Sequence, residues 1–312
     1  MKTVIKSGKL KTISLSLLVM ALWGSLFPFI KIGYSAFSID SSNIPSILMF
    51  AGTRFVVCGL IIFAITVIKN RFGRGAPAPF PKGKAIGEIL LIGLFTIILH
   101  YAFLYIGISV TDSSKTAIIK QLGSLFYVCL AFLFIKNEKF SLSKIFGALL
   151  GFAGIIAINF SADGVSFSYG DLLIIGASFC TVIANIISKK TLASTSAFWV
   201  TGISQLFGGA VLFAIALILG ADILSFNFNA LFVFAYICTA STVAYILWNY
   251  ILSTTSLSGM FIIKFSEPLF ACLFGAALLG EDILKWQYLI AFVLISLGIV
   301  LGNRSERAKK IP

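Results

Sequence analysis

Ten apolar stretches, each close to twenty residues and parted by short polar or basic connections, run through this chain from end to end. A helix needs about twenty mostly apolar residues to cross a hydrocarbon core of about 30 Å, and only a structure that satisfies its own backbone hydrogen bonds is stable there. The stretches cover 12–34, 46–68, 85–108, 114–135, 144–160, 170–188, 197–219, 230–252, 259–279 and 286–302, the fifth and tenth being short. Water is not the main solvent, because 59% of the 312 residues are apolar and only 11% charged, against roughly 45–50% and 25% in soluble domains. Eleven acidic and 24 basic residues are too few to cover such a core. The expected fold is an all-α integral membrane protein with ten transmembrane helices.

A net charge of +13 invites a nucleic-acid reading, and the position of the charges argues against it. The basic residues gather between apolar runs, as they do where cytoplasmic loops hold Lys and Arg against translocation and meet anionic lipid. With the N-terminus inside, Lys2, Lys6, Lys9, Lys11, five residues from Lys69 to Lys84, Lys136, Lys139, Lys144, Lys189, Lys190, Arg304, Arg307, Lys309 and Lys310 all face the cytoplasm. These are eighteen of the 24 basic residues, against at most Lys31, Lys115 and Lys285 outside. Both termini are therefore expected in the cytoplasm, with the chain in the cell membrane, the inner or plasma membrane of a bacterium. The run from Ile13 to Tyr34 is too long for a signal h-region and contains Pro28 and Lys31, so it reads as the first span. Cys58, Cys129, Cys180, Cys238 and Cys272 lie singly in apolar runs and read as reduced packing residues.

The chain also repeats itself. A shift of 144 lays Tyr101–Phe126 over Tyr245–Phe270 with nine identities in 26 positions, Ile118-Ile119-Lys120 falling on Ile262-Ile263-Lys264. Biased composition alone gives roughly two or three. A shift of 150 matches Gly52, Gly59, Phe63, Ala64 and Ile65 to Gly202, Gly209, Phe213, Ala214 and Ile215. The six-residue difference between the shifts is the difference between the loops 69–84 and 220–229, so one duplication explains both. Each copy holds five spans, 12–160 and 170–303, and an odd number makes the second copy enter the membrane from the opposite side. Inverted halves let one adopt the outward shape while the other adopts the inward one, the basis of alternating access.

With Trp23-Gly24 in the first span, Arg54-Phe55 in the second, Glu267-Pro268 in the ninth and Gly280-Glu281 after it, the chain resembles the drug/metabolite transporter superfamily, in particular its EamA-like members, from about residue 12 to 303. The resemblance implies a ten-helix bundle around a central cavity, two EamA-like five-helix repeats, and export or exchange of small metabolites. One departure is that the first copy has Gly123-Ser124 where the second has Glu267-Pro268.

Ionisable residues inside a membrane cost at least about 2.5 kcal/mol each at a helix centre and so need a partner, a wet cavity or a route to the interface. Here they are Arg54, His100, Lys120, Lys264 and Glu267. Helix rise places Lys120 roughly 10 Å below the outer face and Lys264 roughly 8 Å above the inner one. Both are expected to flank the central cavity and take an anionic substrate group in turn, snorkelling to the nearer interface being the plainer alternative. Glu267 stands three residues after Lys264 on the same helical face. It is either a static ion-pair partner or a proton site released when substrate competes for Lys264, giving proton-coupled exchange. Pro268 removes a backbone hydrogen bond and is a candidate hinge. His100, the only histidine, cannot make a metal site or relay alone; it reads as a hydrogen-bonded packing residue, with a pH gate as the sharper alternative. Arg54, with Ser204 as its counterpart, reads as a helix-joining or interfacial residue, or as one that assists substrate. Trp23, Tyr101, Tyr245 and Asn249 are candidate aromatic and amide contacts on the cavity wall, for each of which ordinary packing is the alternative.

A membrane enzyme acting on lipid is the rival from another class, and its chemistry is missing: the sequence has no HExxH, no paired histidines or aspartates in the spans and no sizeable soluble loop. No GxxxxGK[ST] supplies an ATP motor, and no ring of carbonyls or charges marks a channel filter. The expected partners are the bilayer, a small-molecule substrate and a proton or counter-substrate, with no cofactor, metal or nucleic acid. Lys120 and Lys264 favour an amino acid or related carboxylate, while Glu267 keeps export of lipophilic or weakly cationic compounds open.

Overall fold

The computed structural model describes residues 2–73, 77–123, 142–158, 160–161, 164–165, 167–254, 264 and 266–307. Among these, the chain is helical apart from connecting turns and a two-residue antiparallel pairing of Phe160–Ser161 with Gly164–Val165. The helices are α1 (Lys2–Ala36), α2 (Ile44–Phe72), α3 (Lys84–Ser109), α4 (Ser113–Ile119), α5 (Leu142–Ile158), α6 (Tyr169–Thr191), α7 (Ala197–Ile218), α8 (Phe228–Thr254), α9 (Ser266–Leu279) and α10 (Trp286–Arg307). Six of the described helices are long and apolar enough to cross a membrane: α1 from Ser14, α2, α3, α6, α7 and α8. Ser266–Leu279 and Trp286–Gly298 are shorter apolar helices.

Local chemistry starts and stops these helices. Asn43 accepts the Ser46 N–H at 3.0 Å to open α2, with Pro45 in its first turn. Ser168 and Asp171 form a reciprocal capping box on α6, which satisfies two N–H groups that have no partner within the helix. Gly280 closes α9 at φ +65°, a left-handed conformation that a side chain would strain. Within α3, Leu94–Leu99 winds as a π-turn.

One expected span is broken. The sequence predicts a single helix over 114–135, but α4 ends at Ile119, and Lys120 and Gln121 form a turn tightened by bonds three residues apart. Gln121 N–H donates to the Ile118 carbonyl at 3.0 Å, and Gly123 N–H to the Lys120 carbonyl at 3.1 Å. The rest of that stretch, with Ser124 and Cys129, lies outside the described residues, as do Lys136, Lys139, residues 259–263 of the expected ninth span, Lys309 and Lys310.

The surface is greasy, and charged and polar side chains are buried among the apolar ones inside, unlike a soluble protein. Leu60, Ile68, Phe152, Leu273 and Leu289 are more than half exposed, while Arg54, Ser178, Ser241 and Glu267 are fully buried. Helix α2 packs along α7, α5 along α10, α1 against α8 and α9, and α3 against α6. Glycines bring the α2 and α7 backbones together: a Cβ on Gly59 would stand 2.6 Å from the Leu206 nitrogen, and one on Gly209 2.5 Å from the Val56 nitrogen. On the other pair, a Cβ on Gly154 would meet the Ala291 carbonyl at 3.0 Å, and one on Gly298 the Gly147 carbonyl at 2.5 Å. Cys58, Cys180 and Cys238 are free and buried, and Cys272 is free and half-buried.

Candidate functional site

Two lysines and one carboxylate meet deep in the bundle. Lys120, at the break after α4, directs Nζ to Oε1 of Glu267 on α9 at 3.0 Å. A helix C-terminus suits a cation, because its free carbonyls carry partial negative charge. Lys264, just before α9, is 2% exposed, and the charge of Glu267 acts on it as well. Sequence spacing links Glu267 to Lys264 along one segment; the structure adds Lys120, 147 residues away, which no local pattern reveals. Glu267 is fully buried, and its Oε2 has no hydrogen-bond partner among the described residues.

Both lysines line a cavity walled by α1, α3, α6, α7 and α8. Trp23, Tyr101, Tyr245, His100 and Asn249 are on the same wall, so the structure brings these sequence candidates together. The Trp23 ring meets Tyr245 and Trp248 at centroid distances of 5.6 and 5.0 Å. Tyr245 Oη donates to Tyr101 Oη at 2.8 Å, and Asn249 Nδ2 to Thr201 Oγ1 at 2.8 Å. His100 Nδ1 lies 2.8 Å from the Ala177 carbonyl and 2.9 Å from Thr181 Oγ1, so the imidazole ties α3 to α6 at the edge of the cavity. Among the described residues no group of three or more His, Cys, Asp or Glu side chains is placed to hold a metal.

Gln205 and Asn185 are wall residues that sequence reasoning missed. Asn185 Oδ1 accepts from Trp248 Nε1 at 3.0 Å. Gln205 is 1% exposed, and neither end of its amide has a partner among the described residues; Trp23 Nε1 is in the same condition. A buried polar group left unpaired costs about 1–3 kcal/mol, and both of these side chains face the cavity. The available signal was a solitary amide inside the apolar run of α7, beside the position that corresponds to Arg54.

Arg54 stands apart from that cavity. It is fully buried, and its guanidinium donates to Tyr105 Oη on α3 and, through Nε at 3.1 Å, to Ser241 Oγ on α8. The Tyr34 hydroxyl donates to the Tyr105 carbonyl at 3.1 Å, and Phe50 packs edge-on to Tyr34. Arg54 thus joins three helices at a closed end of the bundle. Pro268 is buried near the start of the described part of α9, and the residues that decide whether it kinks a longer helix lie partly outside the described ones.

A family profile described as the EamA-like transporter family matches residues 10–160 and again residues 168–304. An "uncharacterized transporter" of Archaeoglobus fulgidus is 25% identical over 277 residues, covering 87% of this chain and 90% of its own. The Escherichia coli K12 "uncharacterized inner membrane transporter YedA" is 24% identical over 291 residues, 89% of this chain and 88% of its own. A chloroplastic WAT1-related protein of Arabidopsis thaliana is 27% identical over 269 residues, 82% of this chain and 62% of its own. A crystal structure at 16% identity shares the fold, with a TM-score of 0.65 over 96% of this chain and 99% of that one.

Proposed function

The chain belongs to the EamA-like transporter family, and on that premise we propose that it is a carrier moving a small metabolite with one negative group, an amino acid or related carboxylate, by alternating access. It is a multi-pass membrane protein whose family and relatives are transporters rather than enzymes. The observation that carries the substrate class is the pairing of Lys120 and Lys264, 144 residues apart, on one cavity wall with Glu267 as their shared carboxylate. Two lysines and a carboxylate on one cavity wall offer a monoanionic substrate more than one cation to bind.

The architecture in this reading is ten spans in two inverted copies of five, with both termini cytoplasmic. Reciprocal contacts support it. Gly59 approaches Leu206 as Gly209 approaches Val56, and each residue maps onto its counterpart by the shift of 150. Gly154 meets Ala291 as Gly298 meets Gly147, related by 144. Tyr101 and Tyr245, also 144 apart, bond hydroxyl to hydroxyl, as partners astride a two-fold axis do. The family profile matches twice, once per copy. The basic loops favour the cytoplasm for the end where α3 begins and α6 stops. The direction of transport is export or exchange, and the bilayer is the cell membrane.

Glu267 is the coupling group in this scheme. A substrate carboxylate competes with Glu267 for Lys120 and Lys264, and a proton that enters as substrate binds couples exchange to the pH gradient. Flux that ignores an imposed pH gradient removes the coupling and leaves the binding site standing.

The test is counterflow in proteoliposomes with a carboxylate selected by thermal-shift screening of the solubilised protein. Lys120→Gln and Lys264→Gln each abolish saturable exchange at unchanged membrane abundance. Normal flux in both variants ends the proposal, and ohmic current in place of saturation makes the protein a channel. The aromatic wall of Trp23, Trp248, Tyr101 and Tyr245 favours a second reading, export of lipophilic compounds, in which the lysine variants still transport.

A further inference from the structure

A smaller cavity, with room for about one water in this closed arrangement, lies beyond the first, and the two share Trp23, Tyr101 and Lys120. Its other lining residues continue toward the C-terminal ends of the same helices. On α1 the lining moves from Trp23 through Phe27 to Ile30, and on α3 from Tyr101 to Leu104. Seven residues of helix advance about 10 Å, so the small cavity is stacked on the large one along the bundle axis. At its far end stand Arg54 and the Tyr34–Tyr105–Phe50 cluster that closes the bundle.

Arg54 is the fixed charge of this second cavity. Among the described residues its partners are neutral: Tyr105 Oη, Ser241 Oγ and the faces of Phe55 and Tyr101, 4.7 and 5.4 Å from the guanidinium carbon. A guanidinium so placed has lost water without gaining a carboxylate, which is costly for a residue that only joins helices. Lys120 faces both cavities, and its carboxylate partner Glu267 is bonded through one oxygen only. The cations therefore follow one another along the path, Lys264 in the large cavity, Lys120 at the shared waist and Arg54 in the small cavity.

We propose that the small cavity is a second anion subsite on the transport path, where Arg54 receives a carboxylate handed on by Lys120 while the substrate's apolar body turns past Trp23 and Tyr101. The inference rests on the anion reading of Lys120 and Lys264 and extends it to the half of the path that is closed here. Arg54 recognises a planar carboxylate through its fork of donors, and Phe27, Ile30 and Leu104 supply an apolar wall for an aromatic or branched body. A subsite used after loading changes the rate of passage more than the affinity of the loading site.

Benzoate is the probe. Its binding to the solubilised protein is measured by equilibrium dialysis, and its exchange by counterflow of radiolabelled benzoate in proteoliposomes. Lys264→Gln weakens binding by about tenfold or more, whereas Arg54→Gln keeps affinity within about threefold and slows counterflow by about tenfold or more. Leu104→Phe fills the small cavity and leaves Arg54 in place, and it shows the same split, so it decides the matter if Arg54→Gln does not reach the membrane. Wild-type exchange in Leu104→Phe overturns the second subsite, as does a loss of binding in Arg54→Gln equal to that in Lys264→Gln, which makes the two cavities one site. Wild-type protein that neither binds nor exchanges benzoate overturns the anion reading itself, and this inference with it.

Discussion

The two ends of the bundle are made from the same helices and are packed to different purposes. Toward the end where α3 begins and α6 stops, the helices stand around a cavity in which Gln205 and the Trp23 indole have no protein partner. Toward the other end, Tyr34, Arg54, Tyr105 and Ser241 satisfy one another, and Phe37, Phe50, Phe226 and Phe234 interlock edge to face. Glu281, in the turn after α9, adds a latch at the closed end by accepting the N–H groups of Ser113 and Ser114 at 2.9 and 3.0 Å. The contrast is one of packing: side chains of α1, α2, α3 and α8 interlock at one end, while at the other the helices stand around the cavity.

The seam between α2 and α7 serves both ends and carries the largest expected effect. Gly59→Ala and Gly209→Ala each push a methyl against backbone that has no room to retreat, at about 3 kcal/mol of overpacking. Thermal unfolding in detergent is expected to show equal losses, because the positions are related by the 150-residue shift. A large loss in one and none in the other breaks the two-fold relation between the halves. Next comes the latch. Glu281→Ala removes charge-assisted bonds from a half-buried carboxylate, about 1–2 kcal/mol, and frees the closed end alone. A cysteine placed at Ile30 is then labelled faster by an impermeant thiol reagent, while the large cavity binds benzoate as before. Unchanged labelling removes Glu281 from the closure.

Acidity sharpens the same contrast. Burial pushes the Glu281 carboxyl up, but hydrogen bonds from Ser114 and Ser113 outweigh it and hold the group below its usual range. With a depressed folded value, its contribution is present above the unfolded carboxylate value of about 4.3 and is lost as pH falls through the folded one. The wild type therefore loses stability relative to Glu281→Gln only in the acid limb, below about pH 4. A difference that grows instead toward neutral pH assigns the effect to another group.

The helices were legible because lipid imposes a length and a composition on each: 46–68, 85–108, 170–188, 197–219 and 230–252 fall within four residues of the ends of α2, α3, α6, α7 and α8. The lysines stood out because charge in an apolar run is rare. The break at Lys120–Gln121 was hidden, since no proline or glycine precedes it in α4, and so was the π-turn at Leu94–Leu99. The Lys120–Glu267 pair was hidden because it depends on how α4 meets α9 in space. Gln205 was passed over because a lone amide carries no pattern; only its lack of a partner inside the fold marks it out.

The smallest expected effect lies where the two ends meet. Tyr101 and Tyr245 share one hydroxyl–hydroxyl bond, buried between α3 and α8, and phenylalanine at either position removes it at about 1 kcal/mol. Because the bond joins equivalent positions, its loss loosens both ends alike: stability falls by the same amount in Tyr101→Phe and Tyr245→Phe, and labelling at Ile30→Cys changes little in either. Tyr101 also lines the small cavity, however, and Tyr245 does not. Counterflow is therefore the measurement that separates them, with benzoate exchange slowed more by Tyr101→Phe than by Tyr245→Phe at matched stability. Equal rates place the passage between the cavities away from Tyr101, and unequal stabilities place the two-fold axis elsewhere.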